Sequence, residues 1–172
     1  MKPKSKESIV IIGSGPAAMM LACTLDSTVF DVTMVEKGKA IGRKFLVAGK
    51  GGFNLTHSEE VDKMIEKYEG PKSLLDSLFS FTNDDLRHWL SLIGIETYVG
   101  SSKRVFPIKG IKPIAVLQAI TKEIERKDIT LLKETLWSGS FIENSSIQLL
   151  QKEKNISLKA DRVIFALGGV RI

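Results

Sequence analysis

An α/β fold built on a parallel sheet follows from three features of the sequence. Ser8–Ile12 is a continuous β-branched run, the pattern of a parallel strand covered on both faces. It leads directly into Gly13-Ser14-Gly15-Pro16, a turn that opens a helix, and then into a second apolar run, Val29–Val35. A third run, Arg162–Leu167, ends in Gly168-Gly169 and has the same character.

Composition bounds what such a chain can be. Its 172 residues correspond to about one domain, long enough to bury a substantial core. Hydrophobic residues at 43% and charged residues at 26% exclude a low-complexity or disordered chain. No apolar run reaches the ~18 residues of a membrane span. A single cysteine, Cys23, excludes an internal disulfide or a cysteine-rich zinc site, and points to a reducing cytoplasm. The net charge of +5 raises the question of nucleic acid. Residues 1–60 carry eight Lys/Arg against six Asp/Glu and the remainder seventeen against fourteen, so neither part is a basic arm. That scatter argues against a nucleic-acid partner. Met1–Lys6 is basic and Ile9–Cys23 mostly apolar, as in a secretory signal, and Leu21-Ala22-Cys23 resembles a lipoprotein cleavage site. The Gly13–Pro16 interruption breaks the continuous apolar helix that a signal requires.

Each element follows in order. Pro16 suits the first helical position, where its missing N–H costs nothing, and the helix extends to about Asp26. Val29–Val35 is the second strand, with Glu36 at its end. Glycine and polar residues make 38–58 a loop with short helical turns. Residues 61–80 read as helical, broken at Gly70-Pro71, with Leu74, Leu75, Leu78 and Phe79 on one face. Leu86, Trp89, Leu90 and Ile93 fall at i, i+3, i+4 and i+7, predicting a helix from about Asp84 to Ile93. Thr82 or Asn83 caps it and Gly94 stops it. Ile95–Val99 is a candidate strand. Leu117, Ile120 and Ile124 face inward on a helix over about Pro113–Arg126, and Ile129–Leu132 is a buried strand. The runs 136–142, 146–151 and 155–159, separated by Glu143-Asn144-Ser145 and Lys152-Glu153-Lys154, form a small β-meander.

The chemistry lies in the first turn. Gly13-Ser14-Gly15-Pro16-Ala17-Ala18 is a GxGxxA pattern between a strand and a helix. Gly13 permits the tight turn, Gly15 lets a pyrophosphate approach the backbone, and Ala18 keeps the helix close to the strand. The helix N-terminus offers free N–H groups and partial positive charge. Glu36, 23 residues after Gly13, is placed to accept hydrogen bonds from a ribose diol. It also disfavours a cofactor bearing a 2′-phosphate. These features predict a Rossmann-like FAD/NAD(P)-binding domain, and do not by themselves choose between the two cofactors. A glycine turn in another α/β protein, with Glu36 merely solvated, is the bland alternative.

Further blocks choose by resemblance. Ile41-Gly42-Arg43-Lys44 precedes Ala48-Gly49-Lys50-Gly51-Gly52-Phe53-Asn54-Leu55-Thr56-His57-Ser58. Phe81-Thr82-Asn83-Asp84-Asp85-Leu86-Arg87-His88-Trp89, Glu96–Pro107 and Val163–Gly169 follow in the same order. Together they resemble the YhiN/BaiN-like NAD(P)/FAD-dependent oxidoreductase family, in the branch with an AGKGGxNLTHS segment. The resemblance implies FAD as cofactor, with NAD(P)H as electron donor in the full-length family. It implies that Gly13, Ser14, Gly15, Pro16, Ala17 and Ala18 hold the pyrophosphate, and Glu36, with Lys37 beside it, the adenosine ribose. Arg43 and Lys44 would sit near phosphate or ribityl oxygens, and Gly51, Gly52 and Asn54 along the flavin. The backbone at Trp137 would meet the adenine, and Gly168 would return to the cofactor. The alternatives are that Arg43 and Lys44 are ordinary surface cations, and that Trp137 is core or meander packing.

The family's pattern continues past Gly169 with a tryptophan-proline stretch and another glycine motif. The resemblance therefore implies that residues 1–172 are the N-terminal part of the FAD domain, incomplete, inactive alone, and without a substrate or cap domain. No catalytic residue is assigned, and the small-molecule substrate and oligomeric state are left open. Other chemistry finds little support. His57 and His88 are 31 residues apart and lack metal-ligand spacing. Asp84 and Asp85 suit helix capping better than catalysis. Cys23 reads as a packed thiol. No GxSxG or P-loop pattern occurs. Competing functions are a non-catalytic protein that keeps the fold without flavin, and a stand-alone NAD-binding module.

Overall fold

A computed structural model of the chain describes residues 5–48, 53–142 and 146–168. The chain divides into two compact units, Met1–Phe45 with Ile120–Ile172, and Leu46–Ala119.

The first unit is built on a parallel sheet of β1 (Glu7–Ile12), β2 (Phe30–Val35), β6 (Thr130–Leu132) and β10 (Arg162–Phe165), in the spatial order β10-β1-β2-β6. In register, Ile9 lies beside Arg162 and Val32, and Ile12 beside Phe165 and Val35. Ile9 to Ile12 are all buried, which explains the unbroken apolar run: both faces of this central strand are covered. Alternation sends Val10 and Ile12 to one face, where they join Val35, Ile147, Leu149 and Ala160. The covering layer there is the antiparallel meander β7 (Thr135–Ile142), β8 (Ser146–Gln151) and β9 (Lys154–Lys159). The meander thus takes the place of a crossover helix between β6 and β10. α1 (Pro16–Thr24) packs on β1 and β2, burying Ala18, Met19, Ala22 and Cys23. α6 (Pro113–Arg126) crosses the division between units, and in the first unit Cys23 Sγ lies 4.0 Å from the Ile120 carbonyl. Burial raises the Cys23 thiol pKa to about 12, which makes it a packing group.

The β1–β10 pair is locked at its start. Asp161 accepts hydrogen bonds from Ser8 N at 2.8 Å and Ser8 Oγ at 2.7 Å. These bonds hold its carboxyl below the ordinary range.

The second unit holds α3 (Val61–Ile65), α4 (Lys72–Ser80), α5 (Asn83–Leu92) and a small antiparallel sheet ordered β3-β5-β4. Its strands are β3 (Thr56–His57), β4 (Thr97–Val99) and β5 (Arg104–Pro107). α5 begins on a capping box: Thr82 and Asp85 exchange side-chain and backbone hydrogen bonds. Of the two acids at this helix start, Asp85 caps, as expected, while Asp84 lies 3.6 Å from Arg87. Gly94, at φ +81°, ends the helix in a conformation that favours glycine.

Several boundaries differ from expectation. The helix expected to reach about Asp26 stops at Thr24, and the strand expected over 95–99 begins at Thr97. The last strand ends at Phe165, two residues before Leu167. The loop with short helical turns expected over 38–58 holds one such turn, α2 (Arg43–Ala48), and in addition strand β3. β5 has no counterpart in the sequence reading. Four residues ending in proline, without alternating polarity, carry little strand signal, and pairing with β3 and β4 organises them.

Candidate functional site

The glycine turns following β1 and β10 sit at adjacent strand ends, where the sheet's strand order reverses direction. Such a switch point leaves a crevice beyond the carboxyl ends of the strands. Gly13, at φ +113°, donates its N–H to Val35 O at 2.8 Å. A Cβ on Gly13 would stand 2.4 Å from Ala166 O, so this position excludes any side chain. Gly15 is different. Its φ of −71° is ordinary for any residue, and a Cβ there would meet nothing within 4 Å. One glycine is required by the fold, while the other borders open space.

Gly15 is the N-cap of α1, and no side chain caps that helix end. Pro16 occupies the first turn and no acid is present there. Pro16 and Ala17 are exposed, whereas Ala18 is fully buried, consistent with close helix–strand packing. The N-terminus of α1 therefore presents positive potential beside Gly15, with no acid in its own first turn.

Glu36 is fixed by four neighbours, one of them Thr135, whose N–H donates to Glu36 O at 3.0 Å. The Glu36 backbone N–H donates to Leu132 O at 2.9 Å. Its carboxylate accepts the Ser14 hydroxyl through Oε2 and the Gly38 N–H through Oε1 at 2.5 Å. Sequence reasoning missed Gly38. A Cβ there would stand 2.9 Å from Glu36 Oε1, so glycine lets the backbone wrap the carboxylate. A glycine two residues after the acid is the signal that could have found it.

Of the remaining predicted residues, Lys44 reaches the crevice. Its Nζ lies 3.5 Å from where a Gly168 Cβ would stand, and Gly168 has φ +77°. Lys37 is exposed beside Glu36, and Arg43 is exposed at the start of α2. The Trp137 ring packs against Phe165, with centroids 4.6 Å apart, and Nε1 donates to Ser140 O at 3.2 Å. Its indole thus packs between the meander and β10. Asn54 belongs to the second unit, where its amide nitrogen, turned toward the sheet, lies 3.2 Å from Val105 O and 2.6 Å from Thr56 O. Gly51 and Gly52, with Gly169, lie outside the described residues.

Other features draw nothing away from the crevice. A cavity of about 130 Å³, lined in part by Lys6, Phe30, Asp31 and Lys127, lies near the start of β2, at the opposite strand ends. Among the described residues no cluster of His, Cys, Asp and Glu could hold a metal ion. No described helix is long and apolar enough to cross a membrane.

Fold and site together define a Rossmann-type dinucleotide-binding domain. Residues 7–172 match the HI0933-like protein Rossmann domain, and the chain belongs to that family, the YhiN/BaiN-like flavoproteins. It is 24% identical over 161 residues to the ribosomal RNA dihydrouridine synthase of Haemophilus influenzae, covering 94% of this chain and 40% of that protein. This chain thus spans well under half the length of that relative. Among solved structures it resembles the 3-ketosteroid-delta4-(5alpha)-dehydrogenase of Rhodococcus jostii RHA1, with TM-score 0.63 and 14% identity over 96% of this chain and 47% of the other. It also resembles THI4 of Thermovibrio ammonificans, with TM-score 0.60 and 13% identity over 95% and 58% respectively. At these identities the likeness is one of fold.

Proposed function

We propose that this chain is the FAD-binding portion of a flavin-dependent oxidoreductase. The observation that carries the reading is the open space at Gly15, beside the uncapped N-terminus of α1. The segment Gly13 to Ala18 would bind the pyrophosphate, with backbone N–H groups as donors. Glu36, with Lys37 beside it, would hold the adenosine ribose. Its carboxylate oxygens each accept one protein donor and retain capacity for another. Lys44, with Arg43, would balance phosphate charge near Gly168. The Trp137 backbone would border the adenine, and Gly51, Gly52 and Asn54 would lie toward the flavin. When bound, the flavin supplies hydride acceptance and donation. In the whole protein a reduced nicotinamide would serve as donor.

The test is thermal unfolding with FAD, ADP and NAD, applied to the natural chain and to Gly15→Ala. FAD and ADP raise the natural chain's stability, by about 2.7 kcal/mol at a hundredfold excess over Kd. Gly15→Ala unfolds within about 0.5 kcal/mol of the natural chain without ligand, because its Cβ has room, yet loses most of the ligand shift. No shift with any nucleotide favours a protein that keeps the fold without flavin. A shift with NAD and ADP but not FAD favours an NAD-binding module.

A second reading concerns the substrate. The curated relative is named for ribosomal RNA, which favours a uridine in RNA over a free small molecule as the whole protein's substrate. Mass-spectrometric quantification of dihydrouridine in ribosomal RNA, with and without the whole protein, checks it. Unchanged dihydrouridine removes this reading and leaves the FAD site untouched.

A further inference from the structure

We infer that Ser14 is a positioning residue that aims the Glu36 carboxylate at the cofactor's adenosine ribose. This rests on the reading of the crevice as an adenine-dinucleotide site. Ser14 is the single residue with a side chain between β1 and α1, since Gly13 and Gly15 flank it. It is 3% exposed, and its hydroxyl is spent neither on solvent nor on the helix, because Gly15 is the N-cap and makes no side-chain bond.

The hydroxyl instead donates to Glu36 Oε2, while Gly38 N–H holds Oε1 from the other side. An ionised carboxylate only accepts, so the Ser14 proton must point at Glu36. The two donors come from different turns and fix both oxygens of a side chain that would otherwise rotate. A ribose diol then meets an acceptor already oriented, and less conformational freedom is lost on binding. Ser14's main chain is held separately, by Gly42 N–H donating to Ser14 O at 3.1 Å. Removing the hydroxyl therefore frees the carboxylate while leaving that backbone bond.

The experiment compares the natural chain with Ser14→Ala in titrations with ADP and with 2′,3′-dideoxy-ADP, which lacks the ribose hydroxyls. Ser14→Ala weakens ADP binding about two- to tenfold, the range expected for losing one immobilised side chain. It changes dideoxy-ADP binding less than twofold, and adds nothing in a Glu36→Ala background. Ser14→Gly reads the same ratio should the alanine variant fail to fold. Equal losses for both ligands, or no loss for ADP, overturn the inference and leave the FAD reading standing. Absence of ADP and FAD binding by the natural chain overturns both.

Discussion

The parallel sheet of the first unit and the α3–α4 segment of the second use apolar residues in opposite ways. In the first, Ile11 and Met34 are completely buried within the parallel sheet. In the second, α3 and α4 bury no residue, and Tyr68, Leu74 and Phe79 are about half exposed. The difference teaches that an apolar face with helical spacing does not by itself make a core. The parallel sheet has both faces covered by its own unit, whereas the helical stripe of α4 only announces that something could cover it.

Paired truncations offer the largest test of that contrast. Ile11→Ala should lower stability by about 2–5 kcal/mol in urea unfolding. Leu74→Ala, at a 47% exposed position, should stay within about 0.5 kcal/mol. Equal losses would break the comparison. Next comes Gly13→Ala, which forces a Cβ against Ala166 O at a positive φ. It should cost about 3 kcal/mol, read by the same unfolding curves, whereas Gly15→Ala should not. In the second unit, Thr82→Ala removes the helix cap and should cost about 1 kcal/mol, with faster amide exchange along α5. Asp85 is held below the ordinary carboxyl range by hydrogen bonds from the Thr82 side chain and backbone. Its stabilising contribution disappears as pH falls through that lowered value.

The last effect is alkaline and lies outside the neutral range. Cys23 is raised from 9.0 to about 12 by burial, so an unfolded chain releases this proton at lower pH than the folded one. Its stabilisation is complete below pH about 9 and is lost as pH rises toward about 12. Cys23→Ala should flatten that part of a stability–pH curve.

Legibility followed burial and local chemistry. β1, β2 and the meander were readable because continuous or alternating apolar runs match their burial, and Gly13 because a tight turn demands it. The α5 cap was readable as Thr82 or Asn83 ahead of the apolar period, and the structure selects Thr82, with Asp85 completing a capping box. β3 was not readable, since it exists only through a partner about fifty residues away in sequence, and β5 was not, since its four residues carry little strand signal without β3 and β4. At the site, the glycines and Glu36 stood out by spacing. The Ser14–Glu36–Gly38 arrangement did not, because it joins two turns that no local pattern connects. Trp137 was ambiguous, and only the packing on Phe165 shows where its indole goes.

The pairing of β1 with β10 has a consequence for biosynthesis. Ile9 waits for Arg162, about 150 residues further along the chain. At roughly 5–20 residues per second, a ribosome takes about 8–30 s to deliver that partner. During that interval Ile9–Ile12, an uncharged β-branched strand, is available with one edge bare, the kind of edge that recruits other chains. A chaperone that engages nascent apolar segments has its natural target here, and pulse-labelled aggregation in its absence should rise with slower translation.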